Sequence, residues 1–381
     1  MFSILKKLKY NNRKILYKFV MITDQKLYLI RILTWFSAFV IVLFHYALWF
    51  EIEFYNKNKL LDYLVKRKEY GANFVYLYWA ITGYILISSY YTNNKIIFKN
   101  YFFNIFSKYY PLHILTLFIV LLIQFINIIF YGETKFGYSN DFYHFFLHIF
   151  LASDWGFQNN QSYNAPIWFM SILIPIFFYF FLTFKILMRF KIYFSIFNMI
   201  LFYYGFTIIF GYQNLAKFFN IQACFFYFYL GVTIYLFCNL INKYKKTFQI
   251  LSLFGILISI ISLNFSKNFL SNYLEFVPGT VLLFTSLIFL CQNFYFKKNQ
   301  LSQKVNTFMN TSYSIYLWHF PLQLLFLLIS ESFYLNSDFF KNIFLFLLFI
   351  ITLFLISLFS LKKFEKPFEK LIKKKFNINN N

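Results

Sequence analysis

Acidic residues are scarce in this chain: 13 Asp and Glu stand against 36 Lys and Arg in 381 residues, and only 13% of positions are charged at all. A soluble domain of this length needs a far larger polar surface. Cysteine is nearly absent. Cys224, Cys238 and Cys291 all lie in apolar runs, which excludes a disulfide framework and gives no metal-ligand spacing. Glycine and proline are few, at 10 and 6. No repeat of fixed period appears, and little length is left for an appended soluble domain. What the chain has instead is aromatic and aliphatic bulk: 62 Phe, 33 Tyr and 60% hydrophobic residues overall. The excess of Phe, Ile, Tyr, Asn and Lys matches AT-rich codons and carries no functional meaning.

The apolar residues fall into about ten runs of roughly 20, the length a helix needs to cross a hydrocarbon core of about 30 Å. The runs are 29–50, 73–91, 109–131, 166–187, 192–211, 221–241, 247–264, 274–293, 311–331 and 341–361. Alternate connections, 1–31, 92–108, 185–191, 242–247, 294–304 and 362–375, hold 27 Lys/Arg and 3 Asp/Glu, whereas the others hold 9 and 10. Basic residues accumulate on the cytoplasmic side. The pattern therefore predicts an all-α polytopic membrane protein with about ten transmembrane helices and both termini cytoplasmic. It also disposes of nucleic acid as a partner, because the net charge of +23 is dispersed over six short segments. The partners it suits are membrane lipids, anionic ones included. The first run has no small-residue cleavage site and is read as a retained helix. Three regions follow: a basic cytoplasmic arm at 1–28, a transmembrane domain at 29–361 and a basic cytoplasmic tail at 362–381. Residues 142–152 are too short to span and predict a helix lying on the outer surface.

Ionisable groups at bilayer depth are costly and mark function. Arg31 opens the first run, His45 follows roughly 21 Å further along the axis, His113 lies just inside the third run, and His319 lies in the ninth. His45 has only apolar neighbours in sequence and is suited to taking a proton near neutral pH. His144 and His148 are one turn apart, but no Glu follows the first and no third ligand is evident, so no metal is assigned.

Several segments, in order, resemble the integral-membrane acyltransferase-3 family, which O-acylates cell-surface glycans. They are Phe39-Val-Ile-Val-Leu-Phe-His45, Tyr78-Trp-Ala-Ile-Thr82-Gly83-Tyr84-Ile-Leu86, Lys108-Tyr-Tyr-Pro111, Pro166-Ile-Trp168-Phe169-Met-Ser171, Ser312-Tyr313-Ser-Ile-Tyr316-Leu-Trp-His319-Phe-Pro321 and Phe364-Glu365-Lys366-Pro367-Phe368. Departures occur at Thr34 and Ile105, where the family has arginines, and at Leu173, where one variant has an acid. Arg31 lies one turn before Thr34 on about the same face.

The resemblance implies an acyltransferase that moves an acyl group, acetyl being expected, from cytoplasmic acyl-CoA to a hydroxyl of a surface or lipid-linked glycan across the bacterial inner membrane. In that reading His45, His319 and Tyr316 are catalytic and share one cavity. Arg31, Lys99 and Lys108 bind the CoA phosphates, and Trp168, Tyr84 and Tyr313 bind substrate. The donor is acyl-CoA, the acceptor partner a glycan, and no metal takes part. The rival readings are a glycan transporter or flippase, and a non-catalytic subunit of a glycan-export complex.

Overall fold

The computed structural model describes residues 27–50, 68–91, 96–135, 139–158, 161–269, 276–293, 300–334, 340 and 342–378. The basic arm at 1–28 lies outside them but for its last two residues. Among the described residues there is no β-strand, and the elements are helices: α1 Tyr28–Trp49, α2 Lys68–Tyr90, α3 Phe98–Tyr131, α4 Phe142–Ile149, α5 Trp168–Phe190, α6 Ile192–Ile200, α7 Phe206–Leu240, α8 Lys245–Phe269, α9 Phe276–Asn293, α10 Gln300–Met309, α11 Ser312–Ser332, α12 Ile343–Ser360 and α13 Lys366–Lys375. A helix covers each of the ten runs. Among the described residues, six stretches are long and apolar enough to cross a membrane: Tyr28–Trp49, Phe98–Tyr131, Ala165–Phe190, Phe218–Leu240, Ser312–Ser332 and Ile343–Lys375. The chain is an all-α polytopic membrane protein. Within the helices, Thr34, Thr82, Thr116 and Thr183 turn their hydroxyls back onto carbonyls one turn earlier, which satisfies them without water.

Three boundaries differ from the sequence expectation. The third helix starts at Phe98, not near 109. Hydropathy stops at its polar residues, but an aromatic stripe continues the helix: Tyr101 donates to the Phe177 carbonyl at 2.8 Å, and Phe98 and Tyr101 pack on Phe181. The segment 294–304, read as a loop, holds the start of α10. The tail 362–381 is helical to Lys375, joined to α12 by a π turn at Leu361–Glu365.

Helical structure also runs from α6 through a π turn, Leu201–Gly205, into α7. Yet Phe202 stacks on Phe225 with centroids 3.9 Å apart, Gln222 donates to the Tyr203 carbonyl, and Ser195 bonds Thr233 at 2.7 Å. On a straight helix residues 203 and 222 would lie roughly 28 Å apart. The chain therefore reverses between these contacts, and the runs 192–211 and 221–241 form an antiparallel pair.

The chain divides into two compact units. One comprises the chain up to Trp35 together with Phe237–Asn310. In it α8 and α9 run antiparallel, with Phe248 on Phe289 and Gly255 against Ser286. Arg31 and Trp35 meet Asn306 and Phe308 of α10.

The other unit comprises Phe36–Leu236 and Thr311–Asn381. Here α3 and α11 run parallel: the Tyr313 hydroxyl donates to the Tyr109 carbonyl at one end, and Tyr131 meets Ser332 at 3.1 Å at the other. Helix α5 runs antiparallel to α3, and α12 antiparallel to α1, with Tyr46 between Phe346 and Phe349 and Phe39 on Phe354. Helices α2 and α7 are parallel and nearly touch along their backbones. A Cβ on Gly83 would lie 2.0 Å from the Phe228 carbonyl oxygen, and one on Gly231 would lie 1.7 Å from that of Ala80. Small residues at such crossings let backbones approach where lipid gives no hydrophobic drive to associate. Glu365 ties the end of the unit together, its Oε1 accepting from Ser314 and Ser360, each at 2.8 Å.

Candidate functional site

The site is built where α1 and α11 meet. His45 Nδ1 lies 2.9 Å from His319 Nε2, with the rings nearly parallel. The other nitrogen of His319, Nδ1, is bonded to the Tyr316 carbonyl of its own helix. A carbonyl only accepts, so His319 Nδ1 carries the hydrogen. In a neutral imidazole its Nε2 is then bare, and the hydrogen between the rings must belong to His45 Nδ1. This leaves His45 Nε2 as a bare lone pair. Among the described residues no group bonds it, and the His45 side chain is partly exposed. The arrangement thus presents a base whose tautomer is fixed from behind.

Pro321 offers His319 a different role, because a proline frees the carbonyl four residues before it. That carbonyl is Leu317. The ring bonds Tyr316 instead, so His319 is held toward His45 and does not repair the helix.

Aromatic rings wall the pair. Trp49 stacks on His45 at 5.9 Å and meets Phe320 edge-on at 4.6 Å. The Tyr316 hydroxyl donates to the Pro166 carbonyl at 2.6 Å. Tyr316 therefore acts here through its carbonyl on His319 and through its hydroxyl on the 3-10 turn Ala165–Ile167, a positioning arrangement. Tyr313 is similarly committed to Tyr109. Tyr84 is buried against Tyr235, and Trp168, half-buried at the start of α5, meets Trp79 edge-on at 5.8 Å. The structure brings His45, His319 and Tyr316 together. It does not turn the Tyr313 and Tyr316 hydroxyls toward the bare nitrogen.

The cationic residues sit otherwise than a shared loop would place them. Lys99 and Lys108 are both exposed on α3. Nine residues along a helix is two and a half turns, which puts them on opposite faces roughly 14 Å apart along the axis. Lys108 lies over the ring of its neighbour Tyr109. Arg31 Nη1 donates to Asn306 Oδ1 at 2.9 Å.

Helix α4 covers the same unit. Phe142, Phe146 and Phe150 are exposed, a face suited to the membrane interface. Its other face is docked rather than merely lying on the surface: Tyr110 donates to the Ile149 carbonyl, and His113 Nε2 donates to that of His148 at 2.8 Å. His144 is turned to Asp141 and His148 to Ser162, so the two rings do not converge on one ion. Burial, reinforced by the neighbouring His113 and His144, pushes the His148 imidazole down to about 3.

Several polar residues carry no mark in the sequence pattern, being neutral or outside the apolar runs. Asn164 donates to Thr116, itself bonded within α3. Asp154, in the loop before α5, accepts from Asn220 at 3.0 Å, and its backbone N–H donates to Ser171. Burial pushes the Asp154 carboxyl up to about 6, the Asn220 amide pulling it back in part. Its ordinary value is 3.8, so between about pH 4 and 6 the folded protein holds a proton that the unfolded chain has lost. Stability then falls as pH rises through that window. Asp154→Asn should remove this slope and raise the melting temperature above pH 6, by a term on the order of 2–3 kcal/mol. Melting curves of both proteins between pH 4 and 8 test this, and equal slopes would contradict it.

The described residues form an all-helical membrane fold in which a partly exposed imidazole on α1 meets a second one on α11. Comparison with known families gives the class, a membrane acyltransferase. The model described as "Acyltransferase domain" of the acyltransferase-3 family matches residues 28–361, and the chain belongs to that family. No curated protein and no solved structure gives a significant match.

Proposed function

We propose that the chain is a membrane O-acyltransferase that carries an acyl group, acetyl being the simplest, from cytoplasmic acyl-CoA to a hydroxyl of a cell-surface or lipid-linked glycan. The setting is the bacterial cytoplasmic membrane. The observation that carries the reading is the relay from the Tyr316 carbonyl through His319 to His45, which leaves His45 Nε2 bare. The acceptor oxygen attacks the thioester carbonyl carbon as its proton passes to His45 Nε2. The His45 imidazolium that forms keeps its Nδ1–H on His319. The tetrahedral adduct then collapses, the C–S bond breaks, and the leaving thiolate takes the proton from His45. The purified protein in liposomes, given acyl-labelled acetyl-CoA and glycan acceptors, should yield label in ester linkage. Absence of any hydroxyl acylation would overturn the reading.

Arg31, Lys99 and Lys108 are the cations proposed for the donor phosphates. Because Lys99 and Lys108 face apart, Arg31 is assigned the larger share. Arg31→Ala should raise the KM for acyl-CoA about ten- to hundredfold, the worth of a charge-assisted bond of roughly 1.5–3 kcal/mol, with a smaller effect on the acceptor. Arg31→Lys should recover part of the loss, since lysine lacks the planar fork. A silent Arg31→Lys with unchanged donor KM would assign Arg31 to anchoring α1 through Asn306.

A further inference from the structure

Two carboxamides lie fully buried in the unit that holds the histidines, Asn127 on α3 and Gln323 on α11. Neither has a hydrogen bond through its oxygen or its nitrogen. Four unmet polar atoms between two apolar helices lower stability, because burial removes their water and nothing replaces it. Solvent reaches neither side chain as the helices stand. Asn140, His148 and Asn164 each leave one buried side-chain atom unmatched, whereas Asn127 and Gln323 leave both. Gln124, one turn before Asn127, bonds both the N–H and the carbonyl of Lys135.

Their placement gives the unmet amides a use. Gln323 follows His319 by four residues, so it stands on the same face of α11, one turn beyond the histidine pair. The parallel register of α3 and α11, pinned by Tyr313 on Tyr109 and by Ser332 at Tyr131, puts Gln323 beside the segment Val120–Gln124. Phe320 and Leu324, which flank it, pack on Val120 and Ile123. Asn127 stands one to two turns further toward the same ends of both helices. The two amides thus form a polar strip leading away from His319, toward the loop where Lys135 pairs with Glu331.

Building on the acyltransferase reading, we propose that Gln323 and Asn127 receive the acceptor: a neutral, hydroxyl-rich ligand of the sugar class that enters between α3 and α11 and supplies the hydrogen bonds both carboxamides lack. A carboxamide offers a donor pair and an acceptor, which matches adjacent hydroxyl groups and gives no advantage to an anion. Gln323, nearest the pair, holds the hydroxyl that reacts. Asn127 holds a hydroxyl further out. Admission requires the two helices to part locally, so binding and opening are coupled.

The test uses the full chain, its Gln323→Leu and Asn127→Leu variants and the double variant, with methyl glucoside as probe. Each leucine fills a similar volume without polar atoms, so each variant should melt at or above the wild-type temperature. Methyl glucoside should raise the melting temperature of the wild type and leave that of the double variant unmoved. In acyl transfer, each substitution should raise the acceptor KM about tenfold or more while the KM for acyl-CoA stays within twofold. Stabilisation of the double variant by the sugar equal to that of the wild type, or an unchanged acceptor KM, would reduce both amides to packing residues. If the wild type transfers no acyl group, the reaction is wrong and the melting shift alone decides: a shift lost in the double variant upholds the hydroxyl site, and no shift in the wild type removes it. Should leucine prevent folding, Gln323→Met and Asn127→Ser carry the same comparison.

Discussion

Replacing His45 by alanine is expected to lower acyl transfer by about 10²–10⁴-fold, the usual worth of a general base, with membrane insertion and melting temperature near those of the wild type. The side chain is partly exposed and makes a single hydrogen bond, so its loss removes little that holds the helices together. His319→Ala should cost less, about ten- to hundredfold. It leaves His45 in place but removes the acceptor for Nδ1–H, so the tautomer with a bare Nε2 is no longer enforced. The KM values for donor and acceptor should move little in either variant, because neither ring is assigned to substrate binding. The measurement is kcat for ester formation on matched amounts of folded protein. A His45→Ala enzyme with wild-type kcat would place the base elsewhere and undo the relay.

The largest structural effect is expected at the crossing of α2 and α7. In Gly231→Ala the new methyl would lie 1.7 Å from the Ala80 carbonyl oxygen, and in Gly83→Ala 2.0 Å from that of Phe228, where ordinary contact begins at 3.4 Å. Both obstacles are backbone, so no side chain can swing aside. The helices must part by more than 1 Å, and Tyr76 on Tyr227 and Tyr84 on Tyr235 part with them. Each substitution should cost about 4 kcal/mol or more and reduce the yield of monodisperse protein sharply. The double variant should cost less than the two singles added, because one separation relieves both clashes. Wild-type melting of Gly231→Ala would show that the helices do not approach this closely.

The sequence made the class of fold legible through run length and the distribution of lysine and arginine, because both respond to the bilayer and not to tertiary detail. His45 was legible for the same reason: an imidazole in an otherwise apolar run has no innocent local explanation. That His319 and Tyr316 lie beside it was expected; which nitrogen bonds which group was not legible. The tautomer depends on whether the His319 ring finds the Tyr316 or the Leu317 carbonyl, a matter of one rotamer. Gly83 stood in a recognisable segment, but its purpose lies in Phe228, distant in sequence. The start of α3 was hidden by Lys99, Asn100 and Asn104, whose polarity ends a hydropathy run without ending a helix. Asn127 and Gln323 escaped notice because a neutral amide leaves no mark on charge.

Helix α3 has 34 residues, which at 1.5 Å each extend to roughly 50 Å, while the hydrocarbon of a bilayer is about 30 Å thick. The surplus of roughly 20 Å corresponds to the thirteen residues before Pro111, the one interruption in its backbone ladder. Alongside this surplus stands the basic α13, joined to it by Phe103 stacked on Phe376 at 3.9 Å. The surplus end of α3 is thereby braced by a second helix, and Tyr313 on Tyr109 fixes α11, with His319, against it. The histidines therefore keep their distance from Pro111 whatever the thickness of the bilayer.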